Sequence, residues 1–300
     1  MVWKRLSGRV RKLVLRVLLM LGELIPTVPA RWVADLWFSV PPPRGTEAEW
    51  PAGTPFEVES QGCVIRGHLW GNGPVIYLVH GWASQGEDMS AFVEPLVGRG
   101  LRVVVFDGPS HGRSDPGPSG PRQSNGMEFA RALGAVARLY GPAHAVIAHS
   151  LGAMATMLAV RFEPLSAERL VFLAPMPDVP GYLNKLCSAV GLGPRARRRL
   201  DALIEERVGM AIDDFRLVQM IEFAAPAQLL VVHDRDDRQM PYETAVSLVH
   251  GWPGATLLTT EGLGHRRVLE DPDVVAAITR FVASPTEVPV SGPASPDVRP

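Results

Sequence analysis

The sequence predicts an α/β fold: a mainly parallel, eight-stranded sheet with helices on both faces and a small helical cap. Three observations carry this. Short apolar runs alternate with helical spacings from Pro74 to Val282. One of those runs, Ala143–Ala148, turns abruptly through Ser150 into a small-residue helix. A long segment, 176–226, interrupts the alternation with helical spacings of its own. A hydrophobic share of 46% supplies a core, and a net charge of −1 provides no global field for nucleic acid. Cys63 and Cys187 make neither a disulfide framework nor a metal spacing, and read as reduced core thiols compatible with a cytoplasmic protein.

Residues 1–40 differ from the rest. Lys4, Arg5, Arg9, Arg11, Lys12 and Arg16 are basic with no acid before Glu23, and apolar residues from Leu6 to Ile25 fall close to helical spacing. Arg16 and Glu23 break the apolar run, which falls short of the roughly 20 residues of a spanning helix. The favoured reading packs this segment on the domain, its apolar face continuing through Trp32, Leu36, Trp37 and Phe38. A second places residues 1–25 in a membrane interface as a peripheral contact. A third takes Val28-Pro29-Ala30 as a signal-peptide cleavage site, against which Arg16 argues.

Pro41-Pro42-Pro43 stops the helix and opens a linker, 41–55. Phe56–Ser60 and Cys63–Trp70 alternate across Gln61-Gly62 as an antiparallel hairpin does. Further strands are expected at Pro74–Val79, Leu101–Phe106, Ala143–Ala148, Arg169–Ala174, Gln228–Val232 and Ala255–Thr259. Helices are expected at Met89–Val97, Ser124–Tyr140, Leu151–Phe162, Tyr242–His250 and Pro272–Val282. The interruption carries three more, Tyr182–Val190, Arg195–Val208 and Asp213–Phe223, read as a cap over the strand ends. Its run Arg195, Arg197, Arg198, Arg199 is an anion site or, in the preferred reading, a solvated helix face partly paired with Asp201, Glu205 and Glu206. Residues 284–300, rich in Pro, Ser and Val, read as a disordered tail.

Ligands of open parallel sheets bind beyond the C-terminal strand ends, and four loops there carry polar residues. Ala148-His149-Ser150-Leu151-Gly152 is a strand–turn–helix of the G-x-S-x-G kind with alanine in place of the first glycine; alone, it suits a helix-capping serine equally well. After Val79, Gly81 lets the Trp82 amide turn into the cleft, where with the Leu151 amide it would form an oxyanion hole beside Ser150. His111 and Asp107 could be an acid–base pair but read as loop-fixing residues, as does His80. His265, on a loop framed by Gly262 and Gly264, could swing toward Ser150, with an aspartate of the 234–237 loop setting its tautomer. Trp82, Tyr182, Leu186, Leu217 and Met220 are candidates to line an apolar pocket for a small-molecule substrate. No metal and no cofactor is expected, and nothing in the sequence sets the oligomeric state.

In this order, His80-Gly81-Trp82, Asp107-Gly108-Pro109-Ser110-His111-Gly112-Arg113-Ser114, His149-Ser150-Leu151-Gly152, Asp237-Arg238-Gln239-Met240-Pro241 and Gly264-His265-Arg266-Arg267 resemble an α/β-hydrolase over residues 56–283. The resemblance is nearest to bacterial small-cap serine hydrolases. In that group the acid precedes two residues and an aliphatic–Pro pair, which picks Asp237; Asp236 is the runner-up, Asp234 more distant, and Asp178 after the preceding strand a further option. The resemblance implies Ser150 as nucleophile, His265 as general base and then acid, Asp237 as its orienting carboxylate, and hydrolysis of an ester of a small to medium, largely apolar substrate. Amidase, peptidase, thioesterase, C–C hydrolase and acyltransferase chemistry suit the same residues. Serine at the apex argues against dehalogenase and epoxide hydrolase chemistry, and a non-catalytic binding protein would ordinarily lack a member of the triad.

Overall fold

The computed structural model describes residues 25–42, 52–224 and 227–284. Eight strands form one sheet: β1 (Thr54–Ser60), β2 (Cys63–Trp70), β3 (Val75–Val79), β4 (Arg102–Phe106), β5 (Ala143–His149), β6 (Ala167–Leu173), β7 (Gln228–Asp234) and β8 (Thr256–Thr260). Their order across the sheet is β1-β2-β4-β3-β5-β6-β7-β8. The β1–β2 and β2–β4 pairs are antiparallel and the other five parallel. The interior strand β3, Val-Ile-Tyr-Leu-Val, is buried along its whole length because both faces are covered. Along β3, Val75, Tyr77 and Val79 enter one core, and Ile76 and Leu78 enter the other. The expected hairpin is present, although β1 begins at Thr54, inside the predicted linker; residues 43–51 of that linker lie outside the described residues.

The helices, in chain order, are α1 (Thr27–Phe38), α2 (Val93–Val97, entered through a 3-10 stretch Gly86–Phe92), α3 (Gly126–Tyr140), α4 (Leu151–Phe162), α5 (Val179–Val190), α6 (Pro194–Val208), α7 (Ile221–Ala224), α8 (Tyr242–Gly251), α9 (Gly264–Arg267) and α10 (Pro272–Ala283). The amphipathic α3 begins where the Asn125 side chain accepts the Met127 and Glu128 amides.

The cap departs from expectation in one element. The predicted helix Asp213–Phe223 is broken into two 3-10 turns, Ile212–Asp214 and Leu217–Gln219, and the short α7. The cause is a long-range pairing: Val179 N donates to Phe215 O, Leu217 N donates to Pro177 O, and Arg216 forms a β-bridge with Asp178. Extended backbone at Arg216, the residue of that bridge, removes the bonds a helix would need there. Of the arginine run, Arg197 pairs with Asp201 at 2.6 Å, and Arg195 and Arg198 are solvent-exposed, as on a solvated helix face.

Helix α1 docks on the cap through Ala30, Val33, Ala34 and Phe38, which share a small core with Leu183, Cys187, Leu200 and Ile204. Arg207 of α6 stacks over Phe38 at 4.3 Å and bonds the Ser119 carbonyl. Two residues expected on this buried face are not on it: Trp32 and Leu36 are 45% and 46% exposed. The basic residues 4–16 and the tail from 285 lie outside the described residues.

Candidate active site

Ser150 stands between β5 and α4 with φ 51° and ψ −115°, the sharp turn expected of it. Its backbone is pinned on both sides, because its N–H donates to Leu173 O and its carbonyl accepts the Met176 amide. Gly152 is where close approach demands glycine, since an added Cβ would stand 2.5 Å from Val79 O and 2.8 Å from His80 O. Ala148 needs no such exemption: it is fully buried in the core that holds its strand partners Val79 and Phe172.

His265 Nε2 lies 3.1 Å from Ser150 Oγ, and its Nδ1 lies 2.7 Å from Asp237 Oδ2. The other carboxylate oxygen of Asp237 accepts the Gln239 and Met240 amides at 2.7 and 2.9 Å. Burial raises the Asp237 pKa, but His265 and those amides outweigh it and hold the carboxyl below its usual range. The competing aspartates are engaged elsewhere. Asp236 accepts the Gly262 amide. Asp234 accepts the Thr260 hydroxyl and the Leu263 amide, tying the His265 loop to β7. Asp178 pairs with Arg216 at 3.2 Å.

His80 and His111 fix loops. His80 Nδ1–H donates to Gly81 O while Nε2 accepts the Gly108 amide; His111 Nδ1–H donates to Pro109 O while Nε2 accepts the Ala83 amide. Asp107 accepts the Gly86 and Arg113 amides. Gly81 presses the 80–82 loop on the elbow: a Cβ there would stand 3.0 Å from both Ser150 Cβ and His149 Nδ1. The Trp82 and Leu151 amides donate to no other group among the described residues.

Two histidines join the site without a sequence signal. His149 Nε2–H donates to the His265 carbonyl at 2.9 Å, linking the elbow to the loop of the triad histidine. His233 donates to Met240 O at 2.9 Å and so closes the Asp237 loop. Burial depresses His111 and His149 to about 3, with a further push from His80 and His265 respectively. Folded-state values below the unfolded 6.5 mean that the unfolded chain takes up protons first, so stability is full above that value and falls as pH drops toward 3. Between pH 6 and 5 these two histidines together should remove about 2 kcal/mol of unfolding free energy. Urea melts across this range should show the loss, and a His111→Gln variant should reduce it by about 1 kcal/mol; an unreduced loss refutes the assignment.

Ser150 and His265 border a cavity of about 430 Å³. Its walls are mostly apolar: Trp82, Met154 and Met240 from the domain, Tyr182, Leu186 and Phe215 from the cap, and Leu36, Trp37 and Phe38 from α1. Leu217 and Met220 require correction. Both are fully buried in the main core with Trp252 and do not line the cavity, because the break in the predicted third cap helix turns them inward. The α1 wall was not foreseen. Among the described residues no group of three or more His, Cys, Asp or Glu stands ready to hold a metal.

An eight-stranded sheet of this order, with a serine elbow, a later carboxylate and a final histidine meeting at its strand ends, defines the α/β-hydrolase class. The model of the alpha/beta hydrolase family matches residues 76–278, and the chain belongs to that family. It is 38% identical over 107 residues to a pimeloyl-[acyl-carrier protein] methyl ester esterase of Methylococcus capsulatus, a match covering 36% of this chain and 39% of that protein. It is 40% identical over 60 residues to a non-heme haloperoxidase of Rhodococcus erythropolis, covering 20% of this chain and 22% of that protein. The chain thus spans well under half the length of these relatives. Among solved structures, Est1E from Butyrivibrio proteoclasticus, bound to ferulic acid, superposes with a TM-score of 0.58 at 19% identity, covering 76% of this chain and 96% of that one. A thioesterase domain from the curacin biosynthetic pathway gives a TM-score of 0.56 at 19% identity, covering 78% of this chain and 100% of that one, a likeness of fold.

Proposed function

We propose that the protein hydrolyses carboxylic esters of small to medium, largely apolar substrates through an acyl-enzyme. The observation that carries this is the relay from Asp237 through His265 to Ser150 at an apolar cavity. Ser150 Oγ attacks the ester carbonyl carbon as His265 Nε2 takes its proton, with Asp237 supporting the imidazolium. The tetrahedral oxyanion is held by the Trp82 and Leu151 amides. His265 returns the proton to the departing alkoxide, then takes one from the water that attacks the acyl carbon and gives it to Ser150 Oγ as that oxygen leaves, releasing the acid and restoring the serine. The relative named as a methyl ester esterase supports an ester over an amide. A panel of p-nitrophenyl esters, thioesters and anilides, with Ser150→Ala as control, tests the reading; turnover confined to thioesters or anilides would replace it.

Gly81→Ala tests the oxyanion assignment. The new methyl would meet Ser150 and His149 and push the Trp82 amide away from the reacting oxygen. The expected kcat falls about 10²-fold while the melting temperature moves by only a few degrees. An unchanged kcat removes Trp82 from the oxyanion hole.

A further inference from the structure

We propose that the outward face of α1 docks on an anionic lipid surface and passes ester substrate from that surface into the cavity. The delivery half rests on the esterase reading; the docking half does not. Helix α1 satisfies one apolar face on the cap and carries a second. Val28, Trp32 and Leu36, four residues apart, form a row on it, with Ile25 just ahead, and all four are exposed. Scattered exposed apolar residues are ordinary, but a row of four including a tryptophan marks a surface that meets something apolar. The row ends at the site. Leu36 belongs to it and also lines the cavity, beside Trp37 and the Tyr182 ring, whose centroid is 6.1 Å from that of Trp37.

Charge selects the partner. Exposed cations outnumber exposed acids around the row: Arg31 on α1 and Lys185, Arg195 and Arg198 on the two neighbouring cap helices stand against Asp35 on α1 and Glu206 on the second of those cap helices. In the sequence, Lys4, Arg5, Arg9, Arg11, Lys12 and Arg16 precede the row with no acid among them. An apolar row accompanied by cations is the pattern of a helix lying in the plane of an anionic interface. A second copy of this chain on the same face would set one net positive surface against another. Among the described residues no helix is long and apolar enough to cross a membrane, so the contact proposed is with the interface only.

The test uses the full chain carrying Ser150→Ala, so that binding is read without turnover. Flotation with phosphatidylcholine vesicles should recover at least about tenfold less protein than with vesicles containing phosphatidylglycerol, and salt should weaken the latter. Adding Val28→Asp and Trp32→Asp, both exposed and outside the cavity wall, should lower anionic-vesicle binding at least about tenfold with an unchanged melting temperature. With Ser150 restored, the same pair should keep turnover of a water-soluble short-chain ester and lose at least about fivefold on a long-chain ester held in vesicles. Absence of vesicle binding overturns the docking, as does equal binding by the Val28→Asp/Trp32→Asp protein, which would assign it to the basic segment alone. A dimer that this pair converts to monomer in light scattering gives the face to a second copy instead. Retained vesicle-ester turnover despite lost docking overturns delivery.

Discussion

Ser150→Ala should lower kcat by about 10⁵–10⁶-fold with KM nearly unchanged, a loss of about 7–8 kcal/mol of transition-state stabilisation. In the proposed mechanism the hydroxyl forms the acyl-enzyme bond but contributes little to ground-state binding in a cavity whose walls are apolar. Alanine keeps a Cβ at the same positive φ, and the amide and carbonyl of residue 150 keep their partners Leu173 O and the Met176 amide, so the fold should persist. A fluorophosphonate should label the native protein at Ser150 and leave the variant unlabelled. Folded native protein that fails to react, or a variant retaining about a hundredth of the activity or more, would remove Ser150 as nucleophile.

Asp237→Asn should cost roughly 10⁴-fold in kcat, while Asp236→Asn should cost less than about threefold. The reason is geometric. Asp237 Oδ1 accepts two backbone amides, from Gln239 and Met240, which only an oxygen can do. In the asparagine variant those amides hold the carbonyl oxygen where it is and force the NH₂ group toward His265 Nδ1. That nitrogen must then accept, so the proton moves to Nε2, which faces Ser150 and can no longer act as base. Asp236 accepts the Gly262 amide, a bond an asparagine oxygen keeps. Steady-state kinetics of the two variants on one ester decides the matter, and a reversed order of effects would move the acid to Asp236.

Much of this was legible in the residues. Six apolar runs and one alternating hairpin marked the eight strands within a residue or two, the runs because strands covered on both faces are largely apolar. The small residues around Ser150 marked the elbow, since a positive φ beside closely packed backbone is a local steric demand. The third cap helix was misread because Phe215 to Phe223 has helical spacing, and spacing carries no trace of the backbone pairing with residues 177–179 that breaks it. His149 and His233 escaped notice because each acts by donating to a backbone carbonyl brought near only by folding.

By itself the sequence determined the sheet, the elbow and the chain order of serine, acid and histidine, all set by short-range periodicity and turn sterics. The resemblance picked Asp237 among the aspartates of the 234–237 loop and the tertiary structure aims it at His265, but tertiary structure alone decided which cap residues reach the cavity, and that α1 both walls that cavity and leaves Val28 and Trp32 outside. These are questions of which side chains meet across long separations. Neighbouring aspartates are chemically alike until one of them is aimed.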